Sequence, residues 1–240
     1  MTLIDDTMTL AALVSTHPEL ARELERWGLD YCCRGNRTLA DACAATGLDE
    51  STIVAELSAV TNQHQAREEW TTMSAVDLVD HIVATHHVFL WDELPRLTAL
   101  LAKVTLAHGR NHPELRQVVE TFDDLRAELE PHMLKEERVL FPMVKQLATA
   151  STPPAFHCGS VRNPISVMLR EHDQAGALLA RLRIETQEYA PPEDSCASYE
   201  ACYRALAELE ADTHLHIHKE NNLLFPMVVR MEAALSSTDY

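Results

Sequence analysis

The 240-residue sequence has little glycine, few basic residues and no long uncharged apolar run. Only 6 residues are Gly, which disfavours sheets, barrels and sandwiches whose turns depend on glycine. Lys and Arg number 20 against 37 Asp and Glu, without a basic cluster, so we expect no nucleic-acid partner and no anionic membrane partner. The absence of a bilayer-length apolar run and of a signal-peptide pattern predicts a cytoplasmic protein.

Cysteine is also scarce, with 6 residues in the whole chain. In a reducing compartment these cysteines are not expected to form a disulfide framework. The adjacent pair Cys32 and Cys33 therefore needs another explanation. Histidine, by contrast, is abundant, with 13 residues, and it is the most unusual feature of the composition.

Helical periodicity divides the chain into a small N-terminal unit and a longer bundle. We expect an all-α protein with a small helical domain over residues 1–61, a polar linker over 62–73 and a bundle over 74–240. The bundle contains four long helical patterns, over about 74–107, 113–147, 164–188 and 198–235. Modest loops between these patterns predict an up-down four-helix bundle.

An internal repeat relates the two halves of the bundle. Residues 132–144 match residues 216–228, 84 positions later, at His, Lys, Glu, Leu, Phe, Pro, Met and Val. The preceding helix of each half also carries a histidine, His87 and His172, 85 positions apart. Each half is therefore predicted to be a helical hairpin that supplies one His from its first helix and His-x-x-x-Glu from its second.

The repeated His-x-x-x-Glu spacing predicts a metal site. His132 with Glu136, and His216 with Glu220, place an imidazole and a carboxylate on one face of a helix, one turn apart. Facing hairpins bring four His and two Glu together, so that each Glu can bridge two ions. A single pair is common on solvated helices, but two copies in the same context favour a metal site. Imidazole with carboxylate and no thiolate favours iron or manganese over structural zinc.

Longer motifs surround these residues. They are the run Leu-Asp-Tyr-Cys-Cys-Arg-Gly from Leu29, the Glu-Leu-Pro after His87, the two Leu-Phe-Pro segments of the repeat, and Glu-His-Asp from Glu171. Together they resemble the repair-of-iron-centres (RIC) family of hemerythrin-like di-iron proteins. The resemblance covers almost the whole chain and implies a hemerythrin-like bundle that carries two non-haem irons, bridged by carboxylates and by an oxo or hydroxo group.

The resemblance also implies residue roles. The implied ligands are His87, His132, His172 and His216, with Glu136 and Glu220 as the bridges. The implied function is repair of iron–sulfur clusters damaged by nitrosative and oxidative stress, with iron donated from the bundle. Damaged or apo iron–sulfur proteins are the expected partners, and a second copy of the chain is a further candidate. Cys32 and Cys33 match the family's cysteine pair, for which we expect partial exposure, a mobile module and a role in iron transfer; an inert pair is the alternative.

Several histidines compete with the predicted ligands. Periodicity does not separate His86 from His87, although the repeat offset and the family's spacing favour His87. His86 is then a core histidine or a neighbour of the site. His214 and His218 lie two residues from His216 and are expected at the surface, because residues two apart point in different directions on a helix.

Further residues carry weaker expectations. The resemblance suggests a polar path to the irons past Glu128 and Glu171, with ordinary solvated carboxylates as the alternative. Pro131, directly before a predicted ligand, is expected to kink its helix. Burial as small apolar groups is expected for the remaining cysteines, Cys43, Cys158, Cys196 and Cys202.

Two other functions fit a di-iron site. Open iron positions would suit a reductase for nitric oxide or another small oxidant. A binding protein or sensor for O₂ or NO is the other reading, but ordinary hemerythrins use an additional His and a bridging Asp that this pattern does not supply. No catalytic residue is assigned for either reading.

Overall fold

The structure of the protein, a computed structural model, describes Ile4, residues 7–61 and residues 70–236. Within these ranges the chain forms helices and no β-strand, which confirms the all-α prediction. None of the helices so described is long and apolar enough to cross a membrane. Most of the expected linker, residues 62–69, lies outside the described residues.

The N-terminal unit consists of short helices. They are α1 (Leu10–Thr16), α2 (Ala21–Arg26), α3 (Leu39–Thr46) and α4 (Glu50–Thr61). The side chain of Thr38 accepts a hydrogen bond from the amide of Asp41, which confirms the predicted start of α3. Gly47, at φ 72°, ends the same helix in the left-handed conformation that glycine tolerates.

The bundle has four helical rods close to the predicted ones. They comprise α5 (Ala75–Ile82) with α6 (Val88–His108), α7 (Leu115–Lys135) with α8 (Phe141–Thr149), α9 (Arg162–Glu185), and α10 (Ala197–His218) with α11 (Phe225–Ser236). Three of the rods continue through π-helical segments, over Val83–His87, Glu136–Leu140 and Lys219–Leu224. Short π segments inside α-helices are often found at functional sites. Pro131 lies inside α7, and the kink expected there stays a prediction.

The N-terminal unit and the bundle share one hydrophobic core. Leu13 and Leu24 of the small unit belong to the same buried cluster as Leu209 and Ile217 of the bundle. Trp70, near the end of the expected linker, is also buried in this cluster. Apolar surface shared between two units is exposed when they separate, so this contact favours a docked N-terminal unit, and its expected mobility stays a prediction. The predicted domain boundaries stay predictions.

Candidate metal centre

The six predicted ligands meet in the middle of the bundle as two overlapping clusters. One cluster contains His87 and His216, the other contains His132 and His172, and both contain Glu136 and Glu220. In each cluster the atoms able to bind a metal lie within 4.8 Å of one another, and all six side chains are buried. Two carboxylates shared between two pairs of imidazoles is the arrangement predicted from the repeat.

The spacing of the imidazole nitrogens fits a common ion in each cluster. His87 Nε2 lies 3.3 Å from His216 Nε2, and His132 Nε2 lies 3.1 Å from His172 Nε2. Two nitrogens bound at about 2.0–2.1 Å to one ion lie about 2.9–3.4 Å apart, depending on the coordination angle. Both observed separations fall within this interval.

The carboxylates lie in contact with these imidazoles. Glu136 Oε2 is 3.4 Å from the Nε2 atoms of both His87 and His132. Glu220 lies 3.0 Å from His172 Nε2 through Oε2 and 3.2 Å from His216 Nε2 through Oε1. Each glutamate thus approaches one histidine of either cluster, as a bridging ligand would.

The contacts of the two glutamates with imidazoles are not accompanied by well-aligned hydrogen bonds in the described residues. Neither carboxylate oxygen of Glu136 or Glu220 forms a well-aligned hydrogen bond with any residue in the described part of the chain, although both side chains are 0% exposed. A buried carboxylate without hydrogen bonds carries a desolvation cost that a cation would offset. The donor set of neutral nitrogens and anionic oxygens fits two iron ions.

Three of the four histidines are oriented through their second nitrogen. His87 Nδ1 lies 2.9 Å from Glu137 Oε1, His132 Nδ1 lies 2.9 Å from Glu171 Oε2, and His172 Nδ1 lies 2.7 Å from Asn221 Oδ1. When Nδ1–H donates to such an acceptor, the Nε2 lone pair points into the site. His216 Nδ1 has no such partner within residues 7–61 and 70–236.

The charges within the site shift the pKa values of its members. Burial lowers the pKa of His172, but the adjacent Glu220 and Glu136 outweigh it and raise that pKa to about 9. Burial opposes ionisation of Glu220, yet His216 and His172 hold the pKa of that carboxyl well below its usual range. Without a cation, the carboxylates retain a proton on His172, so binding of a metal there would release it.

His86 is engaged elsewhere, which supports His87 as the ligand. His86 Nδ1 lies 2.8 Å from Asp212 Oδ1, and its Nε2 lies 2.9 Å from Lys219 Nζ. Its ring stacks on that of His216 at 5.5 Å between centroids. Burial and the Lys219 charge lower the pKa of His86 to about 2, so this ring is neutral.

The surface position expected for His218 is wrong. His218 is 0% exposed, its Nε2 lies 3.2 Å from Ser15 Oγ, and its ring meets the edge of the Tyr31 ring. His214 is partly buried and lies 3.2 Å from Glu25. As the helix spacing predicted, both rings point away from the six predicted ligands, but the face that they share is covered by the N-terminal unit.

Both cysteines of the pair were expected to be partly exposed, but only one of them is. Cys33 is half-buried, whereas Cys32 is buried, and their Sγ atoms are 3.7 Å apart. Contact with the Cys33 sulfur and burial raise the pKa of the Cys32 thiol well above its usual value. Among the other cysteines, Cys43 and Cys202 are buried as expected, but Cys158 is half-buried. The expected burial of Cys196 is wrong, because it is exposed at the start of α10.

A small cavity adjoins the ligands on the side where a polar path was expected. It has a volume of about 10 Å³, and its walls include Glu128, Glu171, His132 and His172. Glu128 is exposed and Glu171 is half-buried, so the two carboxylates lead from solvent toward the ligands. His132 and Lys135 hold the pKa of Glu171 at about 2 despite its burial, so this carboxylate stays charged. The path itself stays a prediction.

Comparison with known proteins gives concordant results. Residues 77–228 match the family described as "Hemerythrin HHE cation binding domain", and residues 6–61 match the family described as "Domain of Unknown function (DUF542)". The chain is 34% identical over 223 residues to proteins named "Iron-sulfur cluster repair protein YtfE" from Escherichia coli O157:H7, Citrobacter koseri and Escherichia fergusonii. Each alignment covers 93% of this chain and 97% of the relative.

Proposed function

The chain belongs to the RIC family of hemerythrin-like iron–sulfur cluster repair proteins, and we propose that it restores damaged clusters by supplying iron held at the His/Glu centre. The observation that carries this proposal is the pair of overlapping clusters that share Glu136 and Glu220. When bound, the two irons supply a redox-active and exchangeable store of metal. The partner is an iron–sulfur protein that has lost iron or whose cluster has been damaged.

The proposed ligand set leaves the irons accessible to exchange. Two imidazoles and two shared carboxylates give each ion four protein donors, fewer than the six positions of an octahedral ion. Glu137, Glu171 and Asn221 would keep three imidazoles in the binding orientation. The cavity between Glu128 and the ligands would admit water or another small molecule to the same side of the site.

The direct test follows iron from this protein into a client. The chain is loaded with an iron isotope and mixed with an iron–sulfur enzyme whose cluster nitric oxide has damaged. We expect the repaired cluster to contain the isotope, also when a chelator removes free iron. A Glu136→Ala/Glu220→Ala chain, which lacks both shared carboxylates, serves as the control without a metal store. Repair without isotope transfer would contradict iron donation.

Reduction of nitric oxide is a second candidate, favoured by the cavity that ends at His132 and His172. A species as small as NO fits the proposed access route, and each ion retains open positions. Turnover of NO with a chemical reductant, in the absence of any client, tests this function. Lack of turnover while repair proceeds would leave iron donation as the function of the centre.

A further inference from the structure

Two thiols and a carboxylate meet in the loop between α2 and α3. The Sγ atoms of Cys32 and Cys33 are 3.7 Å apart, and Cys32 Sγ lies 3.3 Å from Asp30 Oδ1. The three groups have donor atoms within 4.8 Å of one another. Two thiolates bound at about 2.3 Å to a tetrahedral ion lie about 3.8 Å apart, and a thiolate and a carboxylate oxygen lie about 3.6 Å apart. The spacing of the two sulfurs, and that of Cys32 Sγ and Asp30 Oδ1, are therefore close to those of one coordination shell, while Cys33 and Asp30 offer donor atoms within 4.8 Å of each other.

The fold holds these donors in place. Asp30 Oδ1 accepts hydrogen bonds from the amides of Cys32, Cys33 and Arg34, at 3.2, 2.9 and 3.3 Å. The side-chain amide of Asn222 donates to the carbonyl of Cys32 at 3.0 Å. An ion would therefore find a loop whose shape is set by hydrogen bonds within the chain.

The loop also lies directly against the proposed iron centre. Cys33 Sγ is 3.8 Å from the carbonyl oxygen of His172. Asn221 joins the two regions, because its Oδ1 lies 2.7 Å from His172 Nδ1 while its Nδ2 donates to the carbonyl of Cys32 at 3.3 Å. A single side chain thus connects a proposed iron ligand to the cysteine pair.

On its other side the pair faces a large cleft. The cleft has a volume of about 1140 Å³, and its walls include Asp30, Cys33, Arg34 and, from α9, Asp173 and Gly176. A cation held by the loop would lie between the buried His/Glu centre and a space that a client's side chains can enter.

We propose that Asp30, Cys32 and Cys33 form a second cation site that takes Fe²⁺ in transit between the His/Glu centre and a client. The identity of the cargo rests on the proposed function, whereas the presence of the site does not. Binding forms two metal–sulfur bonds and one metal–oxygen bond; the ion releases three of its earlier ligands, which are water molecules or donors of the His/Glu centre, and two S–H bonds break with both protons passing to water. The ion remains divalent, so the step needs no oxidant or reductant. With three protein donors, a tetrahedral ion has one position left for a ligand of the client.

The site is tested with Co²⁺ as the probe, added to the full chain already loaded with iron, under anaerobic conditions. Thiolate-bound cobalt has a sulfur-to-cobalt charge-transfer band in the near ultraviolet, which cobalt bound by His and Glu does not give. The band is read from the difference between spectra taken before and after cobalt addition, because the iron centre absorbs in the same range. We expect the band to appear in the unmodified chain and to be lost in Cys32→Ser and Cys33→Ser. Asp30→Asn keeps an oxygen that can accept the backbone hydrogen bonds, and it should weaken cobalt binding on the order of tenfold.

Cys196→Ser is the matched control, since Cys196 is an exposed thiol 3.2 Å from a histidine, His108. It should leave the cobalt band unchanged. Absence of the band, its survival in Cys33→Ser, or its loss in Cys196→Ser would overturn the site. Retained His/Glu iron in Cys33→Ser shows that the variant is folded.

Isotope transfer separates this inference from the function on which its cargo rests. If the Cys33→Ser chain loses the cobalt band but delivers iron at the normal rate, the transit role is overturned while iron donation stands. If the unmodified chain delivers no iron, the proposed function fails, whatever the cobalt band shows. Slower delivery by Cys33→Ser, with normal delivery by Cys196→Ser, is the result that we expect.

Discussion

The two copies of the repeat carry the same predicted ligands but differ in how far the rest of the chain covers them. Residues 132–144 lie on a partly exposed side of the bundle, whereas residues 216–228 lie partly under the N-terminal unit. Lys135 is 43% exposed in the first copy, and its counterpart Lys219 is 2% exposed in the second. The residues common to both copies therefore form the candidate metal centre, and the residues that differ reflect what covers each copy.

At the position after each shared glutamate, the two copies keep the same contact with a predicted histidine ligand. Glu137 in the first copy and Asn221 in the second both place an oxygen near the Nδ1 of a proposed ligand, His87 or His172. The residue type changes because Asn221 also donates a hydrogen bond to the carbonyl of Cys32, which a carboxylate cannot do. This position thus contacts a predicted ligand in both copies, but it contacts the N-terminal unit only in the second copy.

At the next position, the two copies differ in both residue type and exposure. Arg138 is exposed in the first copy, whereas its counterpart Asn222 donates hydrogen bonds to the carbonyls of Tyr31 and Cys32. Leu134 likewise corresponds to the buried His218, which contacts Ser15. A small amide and an imidazole replace a long cation and an apolar side chain where polar groups of the N-terminal unit need hydrogen-bond partners.

Removing either shared carboxylate should have the largest effect and should test the symmetry of the centre. We expect Glu136→Ala and Glu220→Ala each to remove most of the iron, because each carboxylate serves both clusters. Iron content per chain, measured with optical spectra, is the readout, and about two irons are expected in the unmodified chain. His86→Ala is the control and should retain iron. If His86→Ala loses iron while His87→Ala retains it, the assignment on this helix is wrong.

The two lysines of the repeat should differ strongly in their effect on stability. Lys219 lies in the core, with its Nζ 4.1 Å from the centre of the Trp70 ring and 2.8 Å from His81 Nε2. Lys219→Ala leaves a cavity, so we expect the free energy of unfolding to fall by about 2–4 kcal/mol. Lys135→Ala removes a half-exposed contact with Glu171 and should cost at most about 1 kcal/mol. Urea unfolding of both variants measures the difference, and equal losses would contradict it.

Glu137 and Asn221, the Nδ1 acceptors at matching positions of the two copies, should contribute to iron affinity to a similar extent, and each less than a shared carboxylate. Glu137→Ala and Asn221→Ala each remove the group that orients an imidazole, so we expect iron to be held about 10- to 100-fold more weakly. Competition with a chelator of known affinity gives the readout. Arg138→Ala, at the next and exposed position, is the control. An effect of Asn221→Ala alone would mean that its contact with Cys32 matters more than the orientation of His172.

The convergence of the six predicted ligands could be foreseen from the sequence because its signals are local and repeated. His-x-x-x-Glu is a one-turn spacing on a helix, and its second copy fixes which residues face the common axis. The preference for His87 over His86 depended on the repeat offset, and the contacts of His86 with Asp212 and Lys219 agree with it.

The contact with the N-terminal unit could not be predicted in the same way. The burial of His218 depends on Ser15 and Tyr31, which lie about 200 residues away in the chain and share no periodicity with α10. The only signal in the sequence was the departure of His218 and Asn222 from the first copy of the repeat. In this chain, these two residues of the second copy that differ from the first copy lie where the N-terminal unit packs on the bundle.

The first two turns of α10 offer a final and smaller contrast, between two thiols. Cys196 caps the start of α10, where the amide of Tyr199 and the nearby His108 lower the pKa of its thiol to about 7. Cys202, one to two turns further along the helix, is buried, which raises the pKa of that thiol to about 12. We therefore expect the rate of alkylation of Cys196 by iodoacetamide to rise with pH around a midpoint near 7, while Cys202 does not react in the folded chain. Peptide mass spectrometry after short exposures measures both rates. His108→Ala should move the Cys196 midpoint to higher pH, and an unchanged midpoint would assign the shift to the helix start alone.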